Sequence, residues 1–504
     1  MYKFLRRFRI VFAILFLVAI TLVFVDIRGK AANIFLNLLD WQFVPALLGI
    51  ATGGLLVFVL FLLLTLLFGR IYCSFLCPAG IFQDVVSTIA NLFKTKKARR
   101  YTYSKPRRWL RYSILTITVA LLILGGATLL LWLDPYSSYG RVAENLFRPT
   151  VIWLNNTATS WFPTTFYRVS YHTFTTGSVI VASIFFIVIT VMSALRGRLY
   201  CNTICPVGSF LGFISNYSIF KISIDEKKCG NCRLCEIACK SQCVNSKDGK
   251  IDNSRCVQCY NCTTVCKSNA IGYKFAYAKK EKLSQPADPA KRRVFIASAG
   301  MLGVSAIAHF FVPPLRSRVK NSKAIAPPGA GSIDNLKKRC TACHACITKC
   351  PSKVIRPALG EYGIDGIMLP VLDYNNSFCT YECTVCSNVC PNDALRPLKP
   401  EEKHTTQIGK AVFRPGRCIV VIDETDCGAC DEHCPTKAVR MVDFRDGLMI
   451  PEIDTSLCIG CGGCEYICPG RPSKAIYVIA NEVHKTISLP QSEKQEKVDV
   501  DFGF

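Results

Sequence analysis

Histidines are few in this chain, acidic residues are far fewer than basic ones, and nucleotide-binding loops are not recognisable. Its 504 residues include 6 histidines, and 35 Asp and Glu stand against 61 Lys and Arg. So few histidines do not suggest a haem protein. No glycine-rich phosphate loop, flavin-attachment motif or substrate site is recognisable, which argues against a nucleotide-driven or flavin enzyme. The net charge of +26 invites a nucleic-acid reading, but its distribution argues against one. Residues 313–504 carry 24 basic and 23 acidic side chains, so the excess lies in residues 1–312, beside apolar segments, as the positive-inside rule predicts.

Cysteine is abundant: there are 29 in a chain long enough for about three domains. That length and the regular spacing exclude a small disulfide scaffold. The run Cys229-x2-Cys232-x2-Cys235-x3-Cys239 is followed by Cys256-x2-Cys259-x2-Cys262-x3-Cys266. This is the two-cluster ferredoxin spacing, in which the fourth cysteine of each motif serves the other cluster. Cys229, Cys232, Cys235 and Cys266 are therefore assigned to one [4Fe–4S] cluster, and Cys256, Cys259, Cys262 and Cys239 to the other. Zinc sites use paired C-x2-C units instead. Cys243 is one thiol more than two clusters need, and Lys240 and Lys267 stand where proline commonly follows the fourth ligand. A cation there should raise a cluster's potential.

Four apolar runs precede this domain: about 10–25, 43–68, 109–133 and 177–195. Each is near or above the ~20 residues needed to span a bilayer. Basic flanks put residues 1–9, 69–108 and 196–293 on the cytoplasmic side, and the loop 134–176 outside. A repeat ends the second and fourth runs: Gly69-Arg70-Ile71-Tyr72-Cys73-x3-Cys77-Pro78 and Gly197-Arg198-Leu199-Tyr200-Cys201-x3-Cys205-Pro206. Parallel duplication can bring Cys73, Cys77, Cys201 and Cys205 together. Such thiols can hold a metal or a further cluster, form redox disulfides, or simply pack.

A fifth apolar run, 294–312, follows Arg292-Arg293-Val294-Phe295. It reads as a twin-arginine-like export segment, with a positive-inside flank or a helix packed on soluble domains as alternatives. The remainder carries four more motifs: Cys340, Cys343, Cys346, Cys350; Cys379, Cys383, Cys386, Cys390; Cys418, Cys427, Cys430, Cys434; and Cys458, Cys461, Cys464, Cys468. Each ends in proline. The pieces Ile419–Ile422 and Ala475–Ile479 read as strands flanking them. The expected domains are a membrane domain (1–220), a cytoplasmic two-cluster domain (221–277), a fifth helix (291–312), a linker (313–332), a periplasmic four-cluster domain (333–484) and a polar tail (485–504). The fold class is an α-helical membrane domain of about five transmembrane helices with two α+β ferredoxin-like domains.

Taken together, these motifs resemble a fusion of two electron-transfer proteins. Residues 1–277 resemble the NapH-type membrane ferredoxin, and residues 291–484 the NapG/MauM-type four-cluster ferredoxin. The resemblance implies a multi-pass protein of the bacterial inner membrane that takes electrons from the quinone pool. They would pass through six [4Fe–4S] clusters to a periplasmic reductase or cytochrome, as in the electron-transfer subunit of a quinol dehydrogenase. It also implies cluster pairing of motif one with four and of two with three in the last domain. His172 and His309, near outer membrane ends, can touch quinol or merely be solvated or packed. The rival reading is an accessory or maturation factor for a metalloenzyme, since Cys-x3-Cys-Pro membrane cores also occur there. Cytoplasmic and outer clusters face each other across a hydrocarbon core of about 30 Å, so an intramembrane cofactor or quinone must bridge them, or they serve different partners.

Six cubanes require about 24 iron atoms and as many labile sulfides per chain. Anaerobic iron and sulfide assays should return that value. Half of it, or stoichiometric zinc, contradicts the six-cluster reading.

Overall fold

The computed structural model describes residues 2–27, 29, 34–50, 53–95, 100–171, 175–277 and 324–488. The twin-arginine segment, the fifth apolar run, His172, His309 and the polar tail beyond residue 488 lie outside the described residues.

Helix α1 (Tyr2–Val25) is apolar almost throughout and buries Ala13, Phe16, Ile20, Val23 and Phe24 on one face. At 1.5 Å per residue it is about 36 Å long. Its first turn meets the two-cluster domain, where the Tyr273 N–H donates to the Tyr2 hydroxyl (3.0 Å) and Arg6 Nε to Asn261 Oδ1 (3.1 Å). Its last turn meets the four-cluster domain: Phe24 packs in one cluster with Cys343 and Ala345. One helix thus touches both sets of cysteine motifs.

Among the described residues two helices are long and apolar enough to cross a membrane, α1 and Thr176–Arg196. The two middle runs are broken. The second consists of α2 (Phe43–Leu48) and α3 (Gly54–Phe68). Phe43 packs on Phe58 and Phe61, with ring centroids 5.3 and 6.5 Å away, so α3 folds back against α2. The third consists of α4 (Arg108–Ile123) and α5 (Thr128–Leu133), parted by Gly125 at φ +87° and Gly126. Gly125 adopts a left-handed conformation that other residues enter only at a cost. Hydropathy alone reads such a hairpin as one span. The broken ends are satisfied inside the protein: Tyr200 donates to Leu133 O (2.8 Å) and Arg141 to Leu131 O (2.8 Å). Irregular backbone at membrane depth survives only where protein covers it or a cavity solvates it.

The two-cluster domain closes with the antiparallel pair β1 (Phe220–Ile224) and β2 (Ile271–Phe275). The four-cluster domain is two such units in series. The first carries the hairpin β3 (Ile355–Pro357) with β4 (Pro370–Leu372), and the second pairs β6 (Val439–Asp443) with β7 (Met449–Ile453). The longer pair β5 (Thr406–Phe413) and β8 (Ile476–Thr486) ties them together. The expected strand at 475–479 is present in β8. That at Ile419–Ile422 is instead a helical turn, since Ile422 N–H bonds back to Cys418 O (2.9 Å). The eight residues between Cys418 and Cys427 must return to one cluster, and a coiled turn shortens them.

Gly125→Ala forces a Cβ into the left-handed region and should cost about 1–2 kcal/mol. Gly126→Ala should be tolerated, because its Cβ would meet only Leu121 O at 3.6 Å. Thermal unfolding of the two variants in detergent measures the contrast; equal melting temperatures would remove the strained break.

Candidate iron–sulfur centres and a buried thiol group

Four of the six cysteine loops share one backbone device. Asn231 and Arg233, Gln258 and Tyr260, Ala342 and His344, and Gly460 and Gly462 occupy equivalent places, all with φ between 47° and 80°. Alternating left-handed residues turn successive N–H groups inward, a nest suited to an anion. Ala342 N–H, for one, points at Cys340 Sγ (3.3 Å). The nest fits an anionic cubane held by thiolates. The x3 and x8 spacings in motifs two and three interrupt the pattern.

The structure also shows which motifs cooperate. In each module the short helix after one loop packs on the helix after the next: Leu234–Ile237 on Asn261–Val265, Ala345–Lys349 on Val385–Asn388, and Ala429–Glu432 on Gly463–Ile467. Cys239 lines a small cavity with Cys256, Cys259 and Cys262, as the spacing predicts. Cys418, Cys427, Cys430 and Cys468 line another. Cys434 neighbours Cys458, Cys461 and Cys464; Cys390 neighbours Cys340 and Cys346; Cys350 neighbours Cys379 and Cys386. Motif one therefore works with two, and three with four. The implied pairing of one with four and two with three is corrected, because packing joins consecutive loops. Cys243 is buried with its sulfur 3.5 Å from Cys239 Sγ. Lys240 does not stand free beside its cluster: its ammonium lies 3.8 Å from Asp84.

The duplicated motif forms a second kind of site. Cys73, Cys77, Cys201 and Cys205 are all buried in one group with Tyr72 and Tyr200, near enough for each thiolate to feel the others. Both copies fold alike. Cys77 and Cys205 cap helices that begin at Pro78 and Pro206. A Cβ on Gly80 or Gly208 would lie 2.3 Å from the carbonyl oxygen of Cys73 or Cys201, so only glycine fits two residues after each proline. The two arginines cross over. Arg70 donates to Asn202 Oδ1 (2.9 Å), Cys201 O (3.1 Å) and Ser254 O (3.0 Å), and lies 3.7 Å from Cys73 Sγ. Arg198 reaches Cys73 O and pairs with Asp84 (2.8 Å).

Positive charge outweighs negative around these thiols. Asp84 is shared by Arg9, Arg198 and Lys240. Burial works against its ionisation, but Arg198 and Lys240, then Arg9, hold its carboxyl well below the usual range. Arg70, fully buried, meets only neutral oxygens and a sulfur, and its Nε and Gln83 Oε1 lack partners. A buried cation left without an anion costs several kcal/mol, and thiolates at this site would supply an anion. Among the described residues no group of three or more His, Cys, Asp or Glu is placed to hold a single metal ion.

This group lies between the two cluster domains. Val257 belongs to it and Cys259 packs against it. Leu76, inside the first copy, also packs against the neighbouring layer of Tyr136, Tyr139 and Cys343. There the backbone of Gly140 approaches so closely that a Cβ would lie 2.5 Å from Cys343 O. The buried pair His344–Glu144 (3.3 Å) adds a polar contact. Sequence reasoning missed Asp84, Gln83, Glu144 and His344 as site residues. Arg70 and Arg198 were visible as the Gly-Arg opening both repeats.

Comparison with known proteins agrees with the iron–sulfur chemistry. The family described as "4Fe-4S binding domain" matches residues 50–99 and 179–224, and that described as "4Fe-4S dicluster domain" matches 425–471. The first pair of stretches contains only Cys73 with Cys77 and Cys201 with Cys205, so a four-cysteine set needs both. The ferredoxin-type protein NapF of Escherichia coli K12 is 27% identical over 162 residues, 32% of this chain and 90% of that protein. The methylamine utilization ferredoxin-type protein MauM of Methylobacillus flagellatus is 26% identical over 209 residues, 40% and 88% respectively. An uncharacterized protein of Methanocaldococcus jannaschii is 25% identical over 186 residues, 36% and 56%. No solved structure matches. The chain is homologous to these ferredoxin-type proteins and carries 4Fe–4S domains.

Pairing has a direct test. If Cys468 and Cys418 serve one cluster, the double variant Cys418→Ser/Cys468→Ser should lose no more iron than either single, about four atoms. Cys458→Ser/Cys468→Ser should lose about eight. A loss of about eight atoms in both double variants would restore the discarded pairing.

Proposed function

We propose that the chain is an electron relay of the bacterial inner membrane, passing electrons from quinol to a periplasmic reductase or cytochrome. In this reading it joins a NapH-type membrane ferredoxin to a NapG/MauM-type four-cluster ferredoxin, with residues 313–504 on the periplasmic side. Charge supports the orientation: basic flanks accompany the two-cluster side, while the last 192 residues are nearly neutral.

One observation carries the proposal: four buried cysteines in a positively charged setting lie between the two ferredoxin sets. Held by thiolates, iron–sulfur clusters supply one-electron chemistry at fixed, tuned potentials. Cys73, Cys77, Cys201 and Cys205 are the residues that would hold a further cofactor there. Arg70 and Arg198 anchor each copy to the other and favour an anionic occupant. The glycines at 80 and 208 let the two loops close, and the aromatic wall of Tyr72 and Tyr200 excludes water. A maturation factor needs no unbroken line of cysteine sites, so this layering favours the relay.

Cys77→Ser should abolish transfer between quinol and at least one cluster set, while dithionite still reduces all clusters. Normal quinol-driven reduction of both sets in that variant would return these cysteines to a packing role.

A further inference from the structure

A cavity of about 390 Å³ lies where the membrane half meets the second cysteine motif. One wall is the reversal between α2 and α3, including Gly49, Gly53 and Val57; the opposite wall is Cys390 with Asn392 and Asp393; Asp40 lies between. Absent side chains make the space: a Cβ on Gly49 would already come within 3.5 Å of Asn392 Cα. The volume suits a small-molecule site, which is typically about 300–1,000 Å³. The lining mixes carboxylates and amides with apolar Leu36, Val57 and Val389. Just beyond it on α3, Leu55 and Leu56 are 52% and 72% exposed, an apolar surface that lipid would cover. On the far side Cys390 groups with Cys340 and Cys346. A ligand that suits this lining carries an apolar body and hydrogen-bond donors for the carboxylates, can enter from lipid covering Leu55 and Leu56, and sits beside an expected iron ligand.

We propose that this cavity binds the head group of a membrane hydroquinone, with Asp40 accepting the hydrogen bond and then the proton of one ring hydroxyl. The inference rests on the reading above that quinol is the electron donor. In the proton step the ring O–H bond breaks and a carboxylate oxygen of Asp40 gains the proton. A hydroquinone anion and a neutral carboxyl result, and the anion gives up electrons more readily than the neutral ring. Asp40 suits the task. It keeps surface because it borders open cavity space, yet burial, and then the like charge of Asp393, push its carboxyl up to about 6. It thus remains largely ionised near neutral pH but binds a proton more strongly than a free carboxylate.

The test uses the full chain in lipid nanodiscs with a photoreactive azido-quinone, labelled peptides being identified by mass spectrometry. Label should fall on residues 36–57 or 388–397. Val57→Trp, which fills the cavity, should cut labelling about tenfold. Asp40→Asn should keep labelling within about threefold yet slow quinol-driven cluster reduction about 100-fold. Dithionite reduction and iron content should not change in either variant. Label elsewhere, or an Asp40→Asn protein reduced by quinol at the normal rate, overturns the site. If quinol reduces the unaltered protein but ignores both substitutions, only this site fails. If quinol does not reduce the unaltered protein at all, the proposed function fails with it.

Discussion

A guanidinium removed from water needs an anion or a full set of acceptors, and that requirement shapes the membrane half of this protein. Arg70 and Arg198 are fully buried and reach across to each other's repeat. Asp84 answers three cations at once. The four cysteines lie between them, and thiolates there would add negative charge. Once the arginines are committed, the loops must approach closely enough for Gly80 and Gly208 to touch the opposing turn of their own copy. The apolar runs that carry α2–α3 and α4–α5 are broken as well. The buried charge, the glycines and the broken helices form one arrangement.

Around that centre the chain repeats a single solution three times. Each ferredoxin module sets two cysteine loops against each other through the short helices that follow them. The first module meets the first turn of α1, and the second meets its last turn. Consecutive-loop packing keeps each module's contacts local, so each pair of clusters can assemble from neighbouring sequence. The left-handed residues before each regular helix are costly for non-glycine side chains. They are spent on turning N–H groups toward sulfur.

Cysteine spacing made the chemistry legible, because a cubane demands ligands at fixed intervals. The start of strand β8 was legible in the β-rich piece Ala475–Ile479. The breaks in the second and third apolar runs were not, since a hydropathy window averages over them; the paired glycines Gly53-Gly54 and Gly125-Gly126 were the available signal. Ile419–Ile422 looks extended by composition, but the need to bring Cys418 and Cys427 to one cavity coils it. Motif pairing was illegible for another reason. Spacing names the ligands of a loop and not the loop it faces. The Gly-Arg of each repeat was plain to see, whereas its crossing contact depends on how the two halves dock.

The central claim is that both cluster sets belong to one electron path through the buried cysteines. Sealed proteoliposomes containing uniformly oriented protein, treated from outside with membrane-impermeant dithionite, test it directly. The account predicts that the visible iron–sulfur absorption bleaches completely without detergent, because electrons entering one set reach the other through the chain. Bleaching that stops at the fraction owed to the outward-facing set, and finishes only when detergent opens the vesicles, would contradict it.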